Sequence, residues 1–248
     1  SFDGRLYPPV TLSAQAPASY RFVGWKTKNA INVGTGRTLV PAQSEWKYSD
    51  AGPVASNWRY RIFSDKNWKE GSAPLGYGAH FPVSTTISYG SDANNKYPTY
   101  YFRKKFQIDE MPDHGEFVLN YTLDDGCVIY VNGVEAGRVH MPEGAVSYTT
   151  YSAASVATTA ATGSIVMDKS LFKAGENLIA VEVHNTSATS SDILWDASLL
   201  CVDQVQIEAG GILSMQEQFE LPYSTDRLQL EACYEYEGDK IEKPVVIN

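Results

Sequence analysis

Along this chain apolar residues recur at every second position far more often than at helical spacing, and Gly, Pro, Asn or Asp bound the alternating runs. Over residues 117–123, Phe117, Leu119, Tyr121 and Leu123 fall on one side of a strand, with Asn120 and Thr122 on the other. Residues 127–131 and 134–139 flank Asn132-Gly133, a pair that tolerates positive φ at both positions and so predicts a β-hairpin with a type I′ turn. Over residues 178–184, Ile179, Val181 and Val183 share one face while Glu182 and His184 share the other; residues 193–200 then align Ile193, Trp195, Ala197 and Leu199. Strands are also expected over residues 10–16, 20–28, 204–208, 212–221 and 228–236. Residues 151–164, rich in Ala, Ser and Thr, read as a loop, residues 170–173 as one helical turn, and residues 174–177 and 237–240 as turns.

Many short strands with closely spaced turns predict an all-β chain built as an antiparallel sandwich. Residues 34–37, VGTGRTLVP in context, read as a linker. The expected organisation is a β segment over 1–38, the sandwich over 39–202 and a small β unit over 203–248.

Charge and composition narrow the function classes. A formal net charge of -9, with no basic run to offset it locally, excludes a phosphate-neutralising surface, so no nucleic-acid partner is expected. No apolar stretch approaches the roughly 20 residues that cross a bilayer as a helix. The chain starts at Ser1 rather than Met and is expected to be a piece of a longer protein whose leader or upstream region has been removed. Its 16 Tyr, 5 Trp and 19 Gly suit an extracytoplasmic β-protein, whether secreted, periplasmic or on the cell surface. Cys127, Cys201 and Cys233 are odd in number and widely spaced, which fits buried small hydrophobes rather than a disulfide framework or a zinc set.

Candidate chemistry centres on Asp124-Asp125-Gly126. Hard carboxylate oxygens suit Ca²⁺, but that ion takes roughly 6 to 8 of them, and Asp also favours turns by bonding nearby amides. Both readings stand at this level. Asp192 and Asp196 fall on one side of the last sandwich strand and form a second pair of possible Ca²⁺ ligands; the ion would fix loops and is not a required cofactor. Among the aromatics, Trp46, Trp58 and Trp68 read as caps on the sandwich, while Tyr97, Tyr100 and Arg103, beside Asn94-Asn95, are the expected exposed contacts for a sugar. Of His80, His114, His140 and His184, none is spaced with another as a metal pair, and His184 beside Glu182 reads as a structural hydrogen-bonding group. No nucleophile-elbow, zincin or phosphate-loop motif is present, so no catalytic residue is assigned and the chain is not expected to be an enzyme.

A series of ordered motifs carries a family resemblance. It runs from Trp46-Lys47-Tyr48 and Asn57-Trp58-Arg59 through Phe63-Ser64-Asp65, Gly71 to Gly78, Thr86 to Gly90 and Tyr101 to Lys104. It continues with Asp124-Asp125-Gly126, Tyr130 to Gly133, Met141-Pro142, Gly175-Glu176-Asn177, Ala180 to His184, Ser191-Asp192 and Trp195-Asp196. Residues 39–202 thereby resemble a bacterial galactose-binding-domain-like jelly roll, a module that accompanies secreted enzymes and surface proteins. Asp124-Asp125-Gly126 also resembles the aspartate pair of protective-antigen-type sugar-binding domains, where adjacent carboxylates hold Ca²⁺ and the ion meets sugar hydroxyls. Residues 10–25 are similar to the end of internalin-type surface repeats. Similar modules also accompany spore-coat-H-type kinase domains, whose own catalytic motifs this chain lacks. The resemblance implies a non-catalytic carbohydrate-binding or interaction module that touches a glycan through Tyr97, Tyr100, Arg103, Asp124 and Asp125 and has neighbouring domains in a larger chain. A structural spacer without a ligand and a glycoside hydrolase-type enzyme are the alternatives.

Overall fold

In a computed structural model, residues 11–78, 80–112, 115–156, 160–221 and 228–238 are described. They form strands β1 (Thr11–Ser13), β2 (Tyr20–Thr27), β3 (Ile31–Val40), β4 (Glu45–Ser49), β5 (Lys69–Ser72) and β6 (Leu75–Tyr77). Next come β7 (Thr85–Thr86), β8 (Thr99–Ile108), β9 (Gly115–Asp124), β10 (Gly126–Val131), β11 (Val134–Val139) and β12 (Ala161–Met167). A 3₁₀ turn at Lys169–Leu171 precedes β13 (Gly175–His184), β14 (Ile193–Ile207), β15 (Ile212–Ser214), β16 (Gln218–Glu220) and β17 (Leu230–Tyr236). Two compact units result: Gly36–Val202, and a second that takes its described residues from Ser1–Thr35 and Asp203–Asn248.

The Gly36–Val202 unit is an all-β sandwich. One sheet has the order β11-β10-β13-β8-β4-β5, all antiparallel, and the other β12-β9-β14-β6-β7, in which β12–β9 and β14–β6 are antiparallel and the short β6–β7 pair is parallel. Alternation decides which side chains fill the space between them. Cys127, Ile129 and Val131 of β10, Ile179, Val181 and Val183 of β13, and Tyr100, Phe102 and Phe106 of β8 meet Phe117, Leu119 and Leu123 of β9 and Trp195, Ala197 and Leu199 of β14 in one core. Trp46 packs edge-on to Trp195 at 5.8 Å between ring centroids. Burying one such large side chain is worth about 1.5–3 kcal/mol.

The alternate residues of β8, β10 and β13 point the other way, yet they too are covered. Trp58, Tyr101, Val128, Tyr130, Leu178 and Ala180 form a second apolar cluster on the outer face, with Phe63, Trp68, Met141 and Tyr148 packed over it. Trp46 and Trp58 therefore fill opposite faces of one sheet. At the predicted hairpin, Asn132 (φ 52°) and Gly133 (φ 97°) make the turn between β10 and β11, and Asn132 Nδ2 also donates to Leu171 O at 2.8 Å.

Three expectations need correction. Residues 34–37 do hold the boundary between the two units, at Thr35/Gly36, but they lie within β3 rather than in an irregular linker, with Val33 and Val40 buried on either side. Residues 161–164, expected in a loop, begin β12 and pair with Leu123 to Asn120 of β9, where ladder bonds need no apolar side chains. Cys127 and Cys201 are buried as expected, whereas Cys233 on β17 is only half-buried.

In the second unit, β15-β2-β17 form one sheet and β1-β16 a separate pair. Phe22 and Trp25 of β2 are buried there, Phe22 edge-on to Tyr234 at 5.8 Å and Trp25 tilted against Phe219 at 6.0 Å. The 237–240 turn falls partly outside the described residues.

Candidate functional site

β9 ends at Asp124 and β10 starts at Gly126, so Asp125 sits at the corner where the chain passes from one sheet to the other. The Asp124–Asp125 peptide bond is cis. Each carboxylate has a different environment. Asp125 Oδ1 accepts from Val156 N at 2.9 Å, and Oδ2 accepts from Thr186 N at 2.9 Å, Thr186 Oγ1 at 3.0 Å and Ser190 Oγ at 3.3 Å. One side chain thus ties the strand corner to the segments after β11 and β13. His140 Nδ1 donates to the Asp125 carbonyl at 2.9 Å on the other side.

Asp124 is 0 % exposed, and neither carboxylate oxygen is matched with a hydrogen-bond donor among the described residues. Burial first, then the charges of Asp125 and Asp192, push its carboxyl up to about 8. At neutral pH the ion-free protein therefore holds a proton there. Asp192 is nearly buried; its Oδ2 accepts from His80 Nδ1 at 2.6 Å and its Oδ1 from Ser191 Oγ at 2.7 Å. Gly78 (φ 115°) backs directly onto it, since an added Cβ would come within 2.3 Å of Asp192 Cβ.

Tyrosines line the adjoining core. Tyr77 OH accepts from Asn185 Nδ2 at 2.9 Å and from Tyr100 OH at 3.3 Å, and Asn185 Nδ2 also donates to Tyr97 O at 2.8 Å. Burial raises the Tyr77 and Tyr100 hydroxyl pKa values, so both stay neutral donors. Tyr77 packs edge-on to Tyr89 at 5.4 Å, and Tyr89 is partly exposed with Lys96 Nζ 5.6 Å from its ring centroid. The half-buried Tyr97 bonds through its amide to Tyr89 O. Tyr89 and Tyr97 are the rim aromatics of this end of the sandwich, and His80, with its side chain 46 % exposed, is the rim cation when protonated.

The residues singled out from sequence separate accordingly. Asp124, Asp125 and Asp192 come together. Asp196 does not join them; its carboxylate accepts from Gln43 N at 3.0 Å, and burial raises its pKa. Four residues along a strand is about 13 Å, too far for one ion. Tyr100 and Arg103, expected at the surface, are buried at 0 % and 1 %. Tyr100 faces the core because it alternates with Tyr101, and Arg103 is covered by the 58–63 segment that it fastens. Its Nε donates to Asp65 Oδ2 at 2.9 Å and its NH1 to the carbonyls of Trp58 and Tyr60. Sequence reasoning missed His80, Asn185, Thr186 and Ser190. The polar run Asn185 to Ser191 after an apolar strand was the available signal.

His184 is fully buried, with Nδ1 donating to Thr150 O at 2.7 Å, as a structural group would be. Glu182 accepts from Tyr130 OH at 2.6 Å. His114 lies outside the described residues. Among the described residues no group of three or more His, Cys, Asp or Glu is placed to hold a metal ion.

No protein-family model matches the sequence, and no curated protein matches it. Solved structures do resemble it in part. A β-glycosidase from Bacteroides vulgatus is 15 % identical with a TM-score of 0.45, over 66 % of this chain and 20 % of that one. A β-glucuronidase from Bacteroides uniformis is 14 % identical with a TM-score of 0.46, over 68 % and 18 %. A glycosyl hydrolase family 2 member from Bacteroides cellulosilyticus is 13 % identical with a TM-score of 0.47, over 83 % and 31 %. The chain spans less than a third of the length of each of these three. Likeness of this degree leaves function to be argued from the site.

Proposed function

We propose that the Gly36–Val202 sandwich is a non-catalytic carbohydrate-binding module of an extracytoplasmic bacterial protein, with Ca²⁺ organising the loops at the Asp124–Asp125 end. One observation carries this reading: Asp124 is fully buried among carboxylates, yet neither of its oxygens meets a donor among the described residues. A buried charge without partners is costly, and a hard cation or a proton relieves it. Asp124 would be the anchoring ligand, with Asp125 beside it and Asp192 adding negative potential. Backbone carbonyls, water or ligand hydroxyls would complete a shell that two carboxylates cannot fill. When bound, the ion would supply positive charge that holds the corner.

The chain's own residues do the rest. Asp125 fastens the 156 and 186–190 segments, while Tyr89, Tyr97 and His80 give the rim an apolar face and a hydrogen-bonding group for a sugar. Hydrolysis at this corner finds less support: Asp124 is sealed from solvent, and Asp125 is engaged by two amides and two hydroxyls.

A broad glycan array, probed with and without a chelator and repeated with Asp124→Asn, tests the reading. Binding of neutral glycans that is lost both on chelation and in the variant is the expected result. Neutral-glycan binding that resists the chelator removes Ca²⁺ from the site, and the absence of any binding leaves a structural spacer.

A further inference from the structure

On the outer face of the β11-β10-β13-β8 sheet, far along the strands from Asp124, a second constellation stands apart. Residues 59–62, Arg-Tyr-Arg-Ile, project from the segment that covers this face, and Ile62 is 90 % exposed. Arg59 lies against two rings, with Cζ 4.9 Å from the Tyr130 centroid and 5.6 Å from that of Tyr60. No carboxylate among the described residues pairs with it. Arg61 has only Glu176, at 3.9 Å, beyond hydrogen-bond reach. The Nε of each arginine is buried without a hydrogen-bond partner. Tyr60 is partly exposed and rests on the hairpin turn, where its ring fills the space a Cβ at Gly133 would take.

This tip is held in place. Buried Arg103 donates to the carbonyls of Trp58, Tyr60 and, at 3.4 Å, Phe63, while Asp65 balances its charge. A turn fixed in this way would lose little conformational freedom on binding a ligand. A guanidinium lying over two tyrosine rings and interacting with their side chains, with no carboxylate partner among the described residues and with Tyr60 40 % exposed beside it, suits a carboxylate attached to a ring with an apolar side.

We propose that Arg59, Tyr60 and Arg61 form a subsite for a carboxylate-bearing sugar residue, a uronic or sialic acid: the guanidinium of Arg59 takes the carboxylate and Tyr60 takes the ring face. It rests on the saccharide-binding reading but is independent of Asp124. The test uses the full chain on an array of uronic and sialic acid oligosaccharides alongside their methyl esters, neutral counterparts and poly-glutamate. The expected result is binding to acidic saccharides that weakens about tenfold on methyl esterification and in Arg59→Gln, and that falls with added salt. Chelator and Asp124→Asn leave it unchanged, so failure of this subsite and failure of the Asp124 site are told apart. An unchanged thermal midpoint shows that Arg59→Gln is folded, and Tyr60→Ala is the second variant, expected to weaken binding of the same sugars. Equal binding of acid and ester, undiminished binding by both variants, equal binding of poly-glutamate, or no binding to any acidic saccharide overturns the proposal.

Discussion

Asp124 and Asp125 are neighbours in sequence with opposite fates. Asp125 accepts from two backbone amides and two hydroxyls. Asp125→Ala leaves the amides of Val156 and Thr186 without acceptors, and an unmet buried donor costs about 1–3 kcal/mol. A stability loss of about 3 kcal/mol is therefore expected in urea unfolding. For Asp124 the folded carboxyl titrates at about 8 against an ordinary carboxylate value of 3.8. Its folded form binds the proton more tightly than the unfolded chain does, so its contribution is full below the unfolded pKa and declines as pH rises toward 8. In ion-free buffer the wild type is expected to lose stability between pH 4 and 8, by at most about 1.4 kcal/mol per pH unit from this group. Asp124→Asn copies the protonated acid in shape and should flatten that decline; identical pH profiles for the two proteins would contradict the assignment. The sequence showed the pair but not which member was free, because that depends on Val156, Thr186 and Ser190, between 31 and 65 residues away.

Among the elements, the β10–β11 hairpin and strands β8, β9 and β13 were legible because alternation and turn chemistry are local. The 58–63 segment was not. It holds turns but no strand or helix, and its place is set by Arg103 on β8 together with the Trp58 contacts to Tyr101 and Tyr130 at 4.8 and 5.8 Å. Arg103→Gln removes the fork that joins three carbonyls and leaves Asp65 unpaired. Hydrogen exchange of amides 58–63 is expected to accelerate while β9 and β14 stay protected. Because a buried ion pair is broken, a global loss of about 3–5 kcal/mol should accompany it. At the hairpin, Gly133 combines φ 97° with Tyr60 pressed against it. Gly133→Ala should lower stability by at least about 1 kcal/mol, read from the denaturation midpoint.

For the whole molecule, the sandwich of Gly36–Val202 has its own continuous core between two sheets. A fragment of residues 36–202 is expected to unfold in one transition, with circular dichroism and tryptophan fluorescence coincident; separated transitions would show that the core is not one cooperative unit. Fluorescence is informative because Trp46 and Trp195 report the inner core and Trp58 the outer cluster.

The sequence by itself determined the all-β class, the hairpin at Asn132-Gly133, the inward faces of the central strands and the burial of two cysteines, because a two-residue period and turn preferences act between near neighbours. Tertiary structure alone decided that Tyr100 and Arg103 are interior, that Asp192 joins Asp124 while Asp196 goes to Gln43, and that Arg59 is clamped by two tyrosines. Those outcomes depend on which loop covers which sheet face, and burial of a polar side chain follows from that long-range packing rather than from the residues beside it.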